Sequence, residues 1–84
     1  MAEREVGKVT HYFTNIGVVV IELTDTLKVG DRIHIQGPTS DFEQEVASMQ
    51  IEHEQVQEAN AGDAVGLKVT EKAREGDKVL VVEG

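Results

Sequence analysis

Apolar and polar residues alternate along much of this chain. Ile33 and Ile35, then Val65, Leu67 and Val69, then Val79 and Val81 each stand two positions apart. Strand side chains point alternately to opposite faces, so this period marks half-buried strands. Each of these three runs follows a Gly-Asp pair: Gly30-Asp31, Gly62-Asp63 and Gly76-Asp77. Glycine supplies the positive φ that a tight turn needs, and aspartate can hydrogen-bond the turn backbone, so these aspartates read as turn residues rather than metal ligands. The pattern predicts strands over residues 4–13, 16–23, 31–37, 42–53, 64–70 and 78–83. A turn at Thr14-Asn15, with Asn15 left-handed, joins the first two. Residues 24–29 form a connection whose Leu27 and Val29 tuck inward, and Val56 and Ala59 belong to an edge segment.

Parity changes within 42–53. Phe42 and Val46 fall on even positions, Met49 and Ile51 on odd ones. Keeping both sets inside requires an extra residue, which predicts a β-bulge near Ala47-Ser48. The expected core is Val9, Val19, Ile21, Ile33, Ile35, Val46, Met49, Ile51, Val65, Leu67 and Val79. The parity of Val18, Val20, Leu80 and Val82 opposes that core, making them a candidate interface patch on the outer face. Residues 52–61 carry too few apolar positions to anchor a helix. The fold class is therefore all-β, and closure into a small antiparallel barrel suits it because closure removes exposed edges.

Length and charge narrow the function. The 84 residues, 1–84, allow one domain. Such a chain buries only roughly 60–65% of its unfolded surface. Cysteine is absent, which excludes disulfides and thiolate chemistry. The amino-terminal residues lack an apolar signal region and no apolar run is longer than that from Val18 to Ile21, so a cytoplasmic location without membrane contact is expected. Net charge is −8, and no Lys or Arg occurs between Ile33 and Leu67 while seven acids do. Nucleic-acid affinity comes from cations, so this surface disfavours RNA. The acids serve solubility or attract a basic protein.

Catalytic chemistry finds little support. Ser40 and Ser48 stand outside any Gly-x-Ser-x-Gly context. His11, His34 and His53 are far apart in sequence, and His34 falls on the face opposite Ile33 and Ile35, which reads as solvated histidine. Glu43 with Glu45, and Glu52 with Glu54, share strand faces without pocket-forming aromatics. The phosphate loop Gly-x-x-x-x-Gly-Lys-Ser/Thr is missing, so GTP binding is not expected. Neither a catalytic residue, a metal nor a cofactor is assigned.

The order of motifs resembles the second domain of translational GTPases, the elongation factor Tu family. Gly7-Lys8-Val9 opens the first strand and Gly17-Val18-Val19-Val20 the second. The segment from Leu27 to Gly37 (LKVGDRIHIQG), the run Val46-Ala47-Ser48-Met49-Gln50-Ile51, the segment Ala61 to Val69 (AGDAVGLKV) and the run Arg74-Glu75-Gly76-Asp77-Lys78-Val79-Leu80 follow in the family's order. The resemblance implies a small antiparallel Greek-key-like barrel. The turn from Pro38 to Phe42 and the stretch from Glu54 to Ala59 are also similar to the barrel that closes collagenase-type peptidases, whose catalysis lies in a separate domain. In elongation factor Tu this domain holds the aminoacyl end of tRNA with a Glu, an Arg three positions later and an Asn after a Gly-Asp turn. The matching positions here are Gln50, His53 and Ala64, a candidate RNA pocket that lacks the cation and the amide.

Together these readings lead to a stand-alone, non-catalytic translation-factor-like barrel that binds another macromolecule, a protein foremost, with self-association a further possibility. The alternatives are a weak RNA or tRNA acceptor-end binder, and a detached accessory barrel of a collagenase-type peptidase.

Overall fold

The computed structural model describes residues 2–38 and 40–83. It is all-β, with no helix among the described residues. The strands are β1 (Ala2–Phe13), β2 (Val18–Leu23), β3 (Leu27–Lys28), β4 (Arg32–Gln36), β5 (Asp41–Glu45), β6 (Met49–Ile51), β7 (Glu54–Val56), β8 (Glu58–Ala59), β9 (Ala64–Lys68) and β10 (Lys78–Glu83). The main sheet runs β5-β4-β10-β1-β2-β9-β6-β7, and β3 pairs with β8 in a separate ribbon. All pairings are antiparallel.

The order closes because β5 and β6 are two halves of one bent segment. The first half pairs with β4 and the second with β9, at opposite ends of the order. The predicted strand over 42–53 is thus interrupted at 46–48 and ends at Ile51. The parity change had the expected effect, since Phe42, Val46 and Met49 are all buried. Along the seam between β5 and β9 a side chain replaces the ladder. The Gln44 Nε2 group donates to the Lys68 carbonyl at 2.8 Å, and its Oε1 accepts from the Thr70 amide at 2.8 Å.

The three Gly-Asp turns share one geometry. Gly30, Gly62 and Gly76 have φ of 97°, 92° and 91°. In each, the aspartate amide donates to the carbonyl three residues back: Asp31 to Lys28, Asp63 to Asn60 and Asp77 to Arg74. Positive φ at the third position with this bond defines a type II turn. The carboxylate answers by accepting the amide of that same first residue, at 3.0 Å from Lys28, 2.9 Å from Asn60 and 2.9 Å from Arg74. Every turn then grips one buried apolar residue on another strand or corner. The Gly30 amide donates to the Val46 carbonyl while the Val46 amide donates to Asp31; Leu23 is held likewise by Gly62 and Asp63, and Val9 by Gly76 and Asp77.

The core matches the sequence reading. Of the expected set, Ile51 alone is half-buried and the others are buried. Val6, Leu23, Leu27, Phe42, Ala59, Val69, Ala73 and Val81 join them. Two features depart from expectation. Strand β1 carries two register shifts, between Glu5 and Gly7 against β10 and between Val9 and His11 against β2. These let Val6 and Val9, of opposite parity, both face inward. The left-handed residue of the β1–β2 hairpin is Gly17, with φ of 65°, not Asn15, because glycine reaches that region without a Cβ penalty.

A Cβ placed on Gly76 meets nothing within 4 Å. Gly76→Ala should therefore destabilise through the backbone alone, by roughly 1–2 kcal/mol. Urea unfolding checks this; an unchanged midpoint would mean the turn does not require positive φ.

Candidate functional site

The candidate RNA pocket lies at the outer end of β6 and β9. Gln50 is exposed, paired with Gly66 on one side and Gln55 on the other. Ala64, also exposed, opens β9 on the same face as Gly66. His53 is not a strand residue. With Glu52 it forms the two-residue turn between β6 and β7, at φ of 51° for Glu52 and 67° for His53. Positive φ at both central positions marks a type I′ hairpin, normally occupied by Asn-Gly. The three positions thus fall near one another, but they present an amide, a solvated imidazole and a methyl rather than a cationic pocket.

The four outward valine and leucine positions are half-buried and fall into two groups. Val18 and Val20 lie opposite Phe13 and His11 on β1, whereas Leu80 and Val82 lie opposite Glu5 and Glu3. Lys8, paired with Lys78 and Glu22, separates them. Sequence reasoning omitted the residues that extend the first group. Phe13 is 48% exposed and Ile16 is 61% exposed, at the tip of the β1–β2 hairpin. The Phe13 ring lies 5.9 Å from that of His11. The sequence signal for both is their position beside a turn, where neighbouring strands cover little; Phe13 ends β1 and Ile16 lies in the turn itself.

His34 departs from the solvated reading. Its side chain is only 13% exposed, and its Nδ1 lies 2.5 Å from Glu3 Oε2. Its Nε2 contacts Asp41 Oδ1. Two carboxylates on two ring nitrogens favour the imidazolium, which donates from both. The hydrogen bond to Asp41 raises the His34 pKa first, with Glu3 assisting, against the opposing pull of desolvation. Arg32 meanwhile pairs with Glu43 at 2.9 Å, and His34 stands opposite Glu43 and Leu80 in the sheet. The residues are tied across β1, β4 and β5, so the cluster links strands rather than lining a cavity. Among the described residues, no group of three or more His, Asp or Glu is arranged to hold a metal ion. No helix among them is long and apolar enough to cross a membrane.

No protein-family model matches the chain. It is 41% identical over 80 residues to an uncharacterized protease of Methanocaldococcus jannaschii, covering 94% of this chain and 20% of that protein. It is 37% identical over 76 residues to a collagenase of Porphyromonas gingivalis, covering 88% of this chain and 21% of the collagenase. The chain thus spans about a fifth of the length of the curated relatives it matches. Among solved structures, the C-terminal domain of a Geobacillus thermoleovorans protein described as a U32 peptidase superposes with a TM-score of 0.89 at 18% identity, covering 95% of this chain and 93% of that domain. A bacterial selenocysteine-specific elongation factor superposes with a TM-score of 0.69 at 21% identity, over 93% of this chain and 14% of that factor. Both resemblances read from the sequence are therefore found. At the level of fold, this is the small barrel shared by peptidase C-terminal domains and a translation factor.

Two predictions follow from local geometry. Replacing Glu52 and His53 by Asn and Gly should stabilise the chain by roughly 1 kcal/mol, since neither native residue favours the left-handed region. A urea midpoint that falls instead would show that the native side chains hold the hairpin. The raised His34 pKa stabilises the fold below the unfolded value of 6.5, and this contribution is lost as pH rises through the higher folded value. The stability gap between parent and His34→Gln should thus be wide near pH 5.5 and narrow near pH 9, and a gap constant with pH would contradict the assignment.

Proposed function

We propose that the chain is a non-catalytic β-barrel module that docks on a protein, and that its partner is a peptidase-type catalytic portion like that of its longer relatives. One observation carries this reading: 94% of the chain matches a mere 20% of a protease at 41% identity. A barrel kept at this identity within a chain five times its length has a neighbour to contact there. The exposed Phe13 and Ile16, continuous with half-buried Val18 and Val20, supply an apolar surface of the kind that marks an interface. Aromatic anchors at such surfaces carry a large share of binding energy. The relatives' catalysis would then reside outside this barrel.

RNA binding at Gln50, His53 and Ala64 has weaker support. The three residues offer no permanent cation, and the surrounding segment between Ile33 and Leu67 contains none.

The test is sedimentation of this chain with the remaining portion of the Methanocaldococcus jannaschii relative, expressed without its own matching segment. A nuclease-resistant complex is expected. Phe13→Asp with Ile16→Asp should weaken it by at least about tenfold, equivalent to about 1.4 kcal/mol, while urea stability stays unchanged. Absence of a complex, or one indifferent to the double substitution, would overturn the docking surface.

A further inference from the structure

A cleft at the foot of the β1–β2 hairpin is lined by Tyr12, Thr14, Ser40, Lys72, Ala73 and Arg74 and measures about 340 Å³. That lies at the lower end of the range for small-ligand sites. Buried Ala73, 2% exposed, anchors the segment, and Lys72 and Arg74 flank it on the surface. Neither cation joins an ion pair among the described residues, whereas Arg4 and Arg32 both do. Arg74 is also fixed at its backbone, where its amide donates to the carboxylate of Asp77 at 2.9 Å. Asp77, 1% exposed, packs so closely on Gly37 that a Cβ there would overlap its carboxylate. The two walls of the cleft, the turn after β4 and the turn before β10, are thus held together.

The floor is polar. Ser40 is 5% exposed and lines the cleft, adding a hydroxyl to its wall. A hydroxyl lining a cleft beside two cations that join no ion pair complements an anion, because it can donate to an anion's oxygen. We propose that this cleft binds a small phosphate monoester, with Lys72 and Arg74 on the phosphate oxygens and Ser40 donating from below. A phosphate monoester carries about −1.5 to −2 charge at pH 7, which two cations match. A single carboxylate would leave one cation uncompensated. A long polyanion is disfavoured because Asp41 and Glu71 line the adjoining cleft, which shares Ser40 and Lys72. The half-buried Tyr12 forms the side wall, positioned to meet a planar group attached to the phosphate.

The experiment is an amide-resolved NMR titration of the chain with inorganic phosphate, ribose 5-phosphate and adenosine 5′-monophosphate, at matched ionic strength. Saturable shifts confined to Tyr12, Ser40, Lys72 and Arg74 are expected with all three. Tighter binding of the nucleotide would assign the Tyr12 wall to the base, and equal binding would assign recognition to the phosphate alone; either supports the site. Lys72→Gln with Arg74→Gln should raise Kd by at least about tenfold through loss of charge-assisted bonds, and Lys28→Gln should leave it unchanged. Ser40→Ala, made separately, should also weaken binding. Shifts that fail to saturate, that spread equally to Lys28 and Lys78, or that persist in the double variant would overturn the proposal. Should that variant not fold, the distribution of shifts in the parent decides.

Discussion

The barrel depends on a hydrogen-bond clamp used three times. In each, a glycine amide and an aspartate carbonyl take the carbonyl and amide of one buried residue: Val46, Leu23 or Val9. The two groups can face the same neighbour because the glycine sits at positive φ, a region closed to most side chains. The clamps fix where β4, β9 and β10 begin relative to the corner, β2 and β1 respectively. Since a one-residue slip would reverse every side chain in a strand, pinning the start of a strand also assigns its core face. Ile33, Val65 and Val79, each two or three residues beyond its turn, are buried accordingly.

This explains which parts of the fold could be read from sequence. The clamps advertise themselves as Gly-Asp, and the strands after them are short and strictly alternating, so local chemistry and tertiary structure agree. The regions that eluded the pattern have different causes. Strand β1 hides two register shifts because Val6, Val9 and Tyr12 stand three apart rather than two, and no turn residue marks the change. The β6–β7 hairpin was invisible because Glu52 and His53 are not residues that prefer a left-handed turn. The tie of His34 to Glu3 spans 31 positions of sequence, and nothing local announces it.

The outer surface was only partly legible. Parity correctly turned Val18, Val20, Leu80 and Val82 away from the core, but parity is a property of single strands. Whether outward residues adjoin one another depends on strand order, and β1 lies between β2 and β10. The same order gathers Tyr12, Ser40, Lys72 and Arg74, from three distant stretches, around one cleft. Net charge conceals such a place, for a chain of net charge −8 can still concentrate two unpaired cations locally.

The Gln44 seam has a consequence for motion. Elsewhere around the ring, neighbouring strands are joined by backbone ladders whose bonds must break together. Between β5 and the end of β9, three bonds to one side-chain amide do the joining, one to the Lys68 carbonyl and two from the amide and hydroxyl of Thr70. A rotamer change at Gln44 releases all three without disturbing either strand's own pairing on its far side. The barrel therefore has a slit that can part while the remaining walls stay intact, and the Thr70 amide, held by that side chain, would exchange its hydrogen with solvent through this local opening rather than through global unfolding.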